Sequence, residues 1–131
     1  IGMITIAVSG IAGVSLLVGA IGILTIMWIS VNERTAEIGL LRALGVSRAT
    51  VQGIFLLESI LLAVAGGALG LAVGFGLISL SRAAVPGLPM TTPPIAVVAA
   101  LAMCFIVGVV SGVMPARRAA ELDPVEALRT E

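Results

Sequence analysis

Charge is scarce in this chain, and histidine and tyrosine are missing altogether. Lysine is missing too, since all seven basic residues are arginines. Each shortage excludes a class of function. With 11% charged residues against 60% hydrophobic ones, the chain falls well below the roughly 25% charge of a soluble domain. Its mean hydropathy of +1.25 says the same, and the chain reads as a membrane protein. Seven acidic residues balance the arginines to a net charge of zero, so nothing points to nucleic acid. Without lysine there is no GxxxxGK[ST] phosphate loop, hence no nucleotide-binding ATPase on this chain. Without histidine, and with one cysteine, a metal site of the Cys/His kind and an intrachain disulfide are both excluded. Cys104 lies in an apolar run and reads as a small hydrophobe.

What the chain does contain is long apolar runs. A bilayer core of about 30 Å takes about 20 helical residues to cross. Three segments are long enough, at about 1–31, 51–81 and 95–114. The first and third carry no charge, and the second carries only Glu58. Between the second and third spans, Pro86, Gly87, Pro89, Pro93 and Pro94 exclude helix and predict a short, stiff loop. After the third span, Asp123-Pro124-Val125-Glu126 predicts a short C-terminal helix over about 124–130, with Asp as cap, Pro at the first helical position and Glu three residues past the cap. Ile1 already stands inside an apolar run, with no charged stretch before it and no small-residue cleavage site after it, so a signal peptide is not expected and the chain reads as a fragment.

Basic residues near span ends set the orientation. Arg34, Arg42 and Arg48 follow the first span; Arg117, Arg118 and Arg129 follow the third; Arg82 alone borders the Pro-rich loop. Six against one predicts a cytoplasmic segment after span one, a cytoplasmic C-terminus and an external Pro-rich loop. Trp28, near the end of span one, suits the interface there.

The segment between spans one and two is amphipathic. Asn32 is expected to cap a helix over about 33–44, with Ile38, Leu41 and Leu44 on one side and Leu40 beside them. Glu33, Arg34 and Glu37 fall mainly on the other side, and Arg34 and Glu37 are spaced to pair. Gly45 suits the left-handed stop of that helix, and Ser47 the cap of the next, with Val46 and Val51 as a staple. Two readings of this element stand side by side. One is an interfacial helix that only anchors the fold. The other is a docking surface on which Glu33, Arg34, Glu37 and Arg42 meet a soluble partner.

Glu58, about 15 Å along its helix from Arg48, is a carboxylate in or at the edge of the apolar layer. It is expected to have a donor nearby, because an unpartnered carboxylate there is costly. It either bonds a neighbouring helix end, snorkels to the interface, or acts as a strut between the corner and the bundle. Small residues recur at spacings of three and four: Ala12, Ser15, Gly19 and Gly22; then Ala63, Gly66, Gly70 and Gly74; then Ala100, Cys104, Gly108 and Gly112. Such stripes bring helix backbones together in lipid, within a subunit or between subunits. Arg117, Arg118 and Arg129 read as orientation anchors and lipid-headgroup partners, with contact to an ATPase as the alternative.

The stretch ERTAEIGLLRALGVSRATVQGIFLLESILLAVAGGALGLAVGFGL resembles the FtsX-like permease domain of ABC transporters, the group that includes MacB and the lipoprotein-releasing LolC and LolE proteins. The likeness rests on Glu33-Arg34, the run from Glu37 to Gly45 (Glu-Ile-Gly-Leu-Leu-Arg-Ala-Leu-Gly), Glu58, and the glycines Gly66, Gly70 and Gly74. The tail PARRAAELDPVEALR is a second match in the right order. The resemblance implies an all-α membrane fold corresponding to the last three of four spans, with the preceding span and a large extracytoplasmic domain absent from this chain. It implies that the helix over about 33–44, with Glu33, Arg34, Glu37, Ile38, Leu41, Arg42, Leu44 and Gly45, is the coupling helix seated on an ABC ATPase. It further implies a homo- or heterodimer of permeases, ATP and magnesium on the partner ATPase and none on this chain, a bacterial plasma (inner) membrane location, and an adaptor or other partner on the periplasmic side.

Two other functions are weighed against an ATP-driven permease. One is a non-transporting regulator of cell-wall hydrolases from the same family, which the external domain would distinguish. The other is an ordinary polytopic carrier, which needs polar or ionisable groups at the membrane centre that this sequence hardly offers.

Overall fold

The computed structural model describes residues 2–85, 91–123 and 125. Among them it contains four helices and no strand: α1 (Gly2–Glu33), α2 (Thr35–Ala43), α3 (Arg48–Ala84) and α4 (Pro94–Glu121). The protein is an all-α membrane protein. α1, α3 and α4 have 32, 37 and 28 residues and are each long and apolar enough to cross a membrane. At 1.5 Å per residue they are about 42 to 55 Å long, so each overruns the hydrocarbon layer at its ends.

The helices are held most firmly at the end that carries α2. There Met27 and Val31 of α1, Ile38 of α2, Val51 and Phe55 of α3, and Ala116 and Ala119 of α4 form one buried cluster, with Ile23, Val46, Leu56 and Leu122 packed against it. Away from this cluster the contacts thin out. α1 is exposed all round from Gly2 to Ser15, so its first half is not covered by α3 and α4.

α3 and α4 stay together further along, because both present small residues. The buried face of α4 consists of Gly108, Ser111, Gly112, Pro115, Ala116, Ala119 and Ala120. Opposite them on α3, the Ser59 hydroxyl donates across the interface to the Gly108 carbonyl at 2.9 Å, sharing its hydrogen with the Leu56 carbonyl of its own helix at 2.7 Å. A methyl added at Gly108 would lie 2.8 Å from the Ile60 Cα, and one at Gly112 would collide with Ser59 Oγ. The two glycines therefore set how closely the helices approach.

α4 does not stop near Met114 but runs to Glu121, through Pro115. Proline inside a helix removes one donor and costs roughly 3 kcal/mol. Here its ring lies within the buried face, between Gly112 and Ala116, and burial of that small-residue face holds the helix together past the break. Asn32 likewise does not cap α2; it lies in the last turn of α1. At the other end, Asp123 Oδ1 accepts from the Val125 amide at 2.9 Å, a local turn of the kind expected of a cap. The helix expected over about 124–130, Arg129, and the loop residues Pro86, Gly87 and Pro89 lie outside the described residues.

Candidate functional site: the corner between the first and third helices

α1 and α2 are separated by a single residue. Arg34 adopts φ −101° and ψ 17° and makes no side-chain cap bond. The main-chain bonds run almost unbroken across it, from the Arg34 amide to the Ser30 carbonyl (3.1 Å) and from the Ile38 amide to the Arg34 carbonyl (3.0 Å). The hydroxyl of Thr35, not Asn32, serves the joint, donating back to the carbonyls of Asn32 (2.8 Å) and Val31 (3.1 Å). Back-bonding of this kind bends helices. α2 is therefore a stiff continuation of α1 with a bend, nine residues and about 14 Å long.

The far end of α2 is closed more sharply. The Val46 amide bonds the Leu41 carbonyl and the Gly45 amide bonds the Arg42 carbonyl, both at 3.1 Å. Gly45 sits at φ +93°. This pair of bonds is the Schellman arrangement, and it needs a residue that adopts positive φ without cost. Ser47 then caps α3, its hydroxyl accepting from the Thr50 amide at 3.2 Å. Val46 packs on the cluster that contains Val51, which matches the staple geometry.

The faces of α2 differ from those expected. Ile38 and Gly39 are buried, but Leu40, Leu41 and Leu44 are 54%, 41% and 75% exposed. Only Ile38 reaches the core; the bend at Arg34 turns the Ile38–Gly39 side inward and leaves the three leucines outside. Glu33, Arg34 and Glu37 are exposed as well, and no ion pair joins Arg34 to Glu37. Arg42 is not on the open charged face. It folds back over the corner, half-buried, donating from Nη1 to the Val46 carbonyl at 3.1 Å, while its buried Nε has no partner among the described residues. The surface offered outward is thus a leucine patch edged by Glu33, Arg34 and Glu37.

Glu58 is half-buried on α3, in an open apolar groove of about 490 Å³ with Ile54, Leu57, Leu61, Leu62 and Ala65. The donor expected beside it is not found among the described residues. The small-residue stripes divide. Gly108 and Gly112, with Cys104, face α3, but a methyl added at Gly66, Gly70 or Gly74 would meet nothing within 4 Å among the described residues. It is Gly67 that lies against α4, where an added methyl would collide with Cys104 Sγ. Gly19 and Gly22 are likewise open. Gly66 and Gly19 instead line a cleft of about 290 Å³ between α1, α3 and α4, together with Ser15 and Cys104.

Two features escaped the sequence reading. One is the stacking of Arg118 on Trp28, 4.3 Å from the ring centroid. The other is the helical run past Pro115. A signal for the second existed: Gly112, Ala116, Ala119 and Ala120 recur at spacings of three and four, in phase with Gly108.

Comparison with known proteins gives a consistent set of likenesses. The model of the FtsX-like permease C-terminal family matches residues 9–124. An uncharacterized ABC transporter permease, YknZ, of Bacillus subtilis is 42% identical over 129 residues, 98% of this chain and 32% of that protein. The macrolide export ATP-binding/permease protein MacB of Photorhabdus laumondii is 43% identical over 121 residues, 92% of this chain and 19% of its own length. MacB of Hahella chejuensis is 41% identical over 128 residues, with 98% and 20% covered. The chain thus spans about a third or a fifth of the length of these relatives.

Proposed function

The chain belongs to the FtsX-like permease C-terminal family, and from that premise we propose that it is the membrane part of an ABC transporter of the MacB kind, driven by an ATPase carried on a partner subunit or on another part of the same protein. α2 is the coupling helix. It receives the movement of the ATPase and passes it through α1, α3 and α4 to whatever lies on the opposite side of the membrane, for export or extraction of a substrate. α2 and the end of the bundle that carries it face the cytoplasm, a reading supported by the bias of six arginines to one. The permease works as a homo- or heterodimer, with a periplasmic adaptor or other outside partner.

One observation carries the coupling role. α2 is part of the buried cluster that joins all the spans, yet it leaves Leu40, Leu41 and Leu44 open. An interfacial anchor needs the open patch but not the shared core; a lever needs both. Force applied to the leucines reaches Ile38, then Val31, Val51 and Ala116, without passing through a flexible linker. The bonds that close Gly45 and Ser47 keep the corner from yielding. Rigid helices moving as units are a familiar way of passing such motion across a membrane.

The test is Leu44→Asp, alone and with Leu41→Asp, in the full-length protein with its ATPase. A charge in a patch that a partner covers costs several kcal/mol, so the ATPase is expected to dissociate or to hydrolyse ATP without export, while membrane insertion is unchanged. Export retained at the wild-type level by the double variant overturns the coupling role of α2.

A further inference from the structure

The arginine that stacks on Trp28 belongs to an open pocket whose charged members, Arg117, Arg118 and Glu121, are all exposed. Trp28 of α1 and Val113, Met114, Arg117, Arg118 and Glu121 of α4 line a pocket of about 340 Å³. Its depth is set by the chain itself. α4 carries no charge from Pro94 to Ala116, so Arg117 and Arg118 are the first charges met on leaving the apolar layer. Trp28 lies on the same level, near the end of α1, where an indole prefers the headgroup region. Below the arginines, Val113 and Met114 are apolar; above them is Glu121.

From this arrangement we infer that the pocket binds the phosphoethanolamine headgroup of a membrane phospholipid, in the leaflet on the side of α2. Arg117 and Arg118 take the phosphate, Glu121 takes the ammonium, and Val113 and Met114 lie along the start of the acyl chains. The charges choose among lipids. Arg117 and Glu121 are one helical turn apart, yet no ion pair joins them, so both remain available to a ligand with charges of both signs. A purely anionic headgroup leaves Glu121 facing a phosphate with nothing to accept. A choline headgroup has no N–H to donate to a carboxylate, and one face of the indole that would otherwise attract a quaternary ammonium is taken by Arg118. Stacking also fixes the Arg118 guanidinium before any lipid arrives, which lowers the ordering cost of binding.

The test is native mass spectrometry of the full-length protein in detergent, titrated with phosphatidylethanolamine, phosphatidylcholine and phosphatidylglycerol of matched chains. The expected result is tighter retention of phosphatidylethanolamine than of the other two. Arg118→Gln is expected to weaken it about tenfold, the scale of one lost charge-assisted hydrogen bond. Glu121→Gln, which leaves every arginine in place and so serves if Arg118→Gln fails to insert, is expected to abolish the preference over phosphatidylcholine. Soluble O-phosphoethanolamine is expected not to displace the lipid; displacement at equal concentration would assign the site to a free metabolite and overturn the lipid source. Equal retention of all three lipids, or a preference unchanged by Glu121→Gln, overturns the site and leaves the two arginines as orientation anchors. Neither result bears on ATP coupling at α2.

Discussion

Replacing Gly112 by alanine is expected to separate α3 from α4, and the size of the effect follows from the geometry. The added methyl would meet the Ser59 side chain, with its carbon 2.6 Å from Ser59 Cβ and 3.3 Å from Leu56 Cδ1. Neither helix yields cheaply, because Ser59 is fully buried and its Cβ is fixed to the backbone. Overpacking of this kind costs typically 1–3 kcal/mol. Displacing Ser59 also breaks its bond to the Gly108 carbonyl, a further ~0.6 kcal/mol in a membrane interface. Gly112→Ala should therefore destabilise the pair by about 2–3 kcal/mol. Ser59→Ala alone should cost about 0.6 kcal/mol, since it loses only the hydrogen bond. The decisive comparison is in the double variants. Ser59→Ala removes the nearer Oγ and should rescue Gly112→Ala only in part, because 2.6 Å from the added methyl the Ser59 Cβ remains. Ser59→Gly removes it and should restore about 1–2 kcal/mol, apart from the cost of glycine in a helix. The assay is alkylation of Cys104, followed by peptide mass spectrometry, as the protein is unfolded by rising fractions of dodecyl sulfate in mild detergent. Its Sγ packs against Gly67 on the facing helix, so the thiol is freed as the helices part. If Ser59→Ala rescued Gly112→Ala as well as Ser59→Gly does, or if Gly112→Ala cost less than about half a kcal/mol, the close approach inferred here would be wrong.

Two other substitutions test the corner and the groove. Gly45→Ala meets no atom of the described residues within 4 Å and is strained by φ +93°, so it should lower stability by about 1–2 kcal/mol, read as a fall in melting temperature in detergent; an unchanged melting temperature refutes the left-handed stop. Glu58→Gln should leave the stability of the chain unchanged or improve membrane insertion, because the carboxylate has no partner among the described residues and a charge costs about 2.5–3.5 kcal/mol at the centre of a span and less towards its edge; a clear loss in an insertion assay would show that the carboxylate is satisfied within the chain.

How far the sequence could be read depended on the range of the interaction. The three apolar runs were legible because crossing a bilayer is a demand on composition and length, and both are local. Gly45 and Ser47 were legible for the same reason: a left-handed stop and a hydroxyl cap are decided within a few residues. Pro115 misled, because its local penalty is plain in the sequence while the packing that offsets it comes from α3 and α1. Asn32 misled in the same way, being a good cap at a place where the helix had no need to stop.

The sequence by itself determined that the chain lives in a membrane, that it crosses three times, and that a short amphipathic element joins the first two crossings. It did not determine which side of each helix meets another. Gly66 and Gly67 are neighbours of one kind, yet one is open and the other lies against Cys104. Leu41 and Ile38 share a face by spacing, yet only Ile38 is buried. The rotation of a helix about its axis is set by how its side chains fit those of its neighbours. In a chain that is apolar on every side, no polar face remains to announce that rotation, so it was decided only when α1, α3 and α4 packed together.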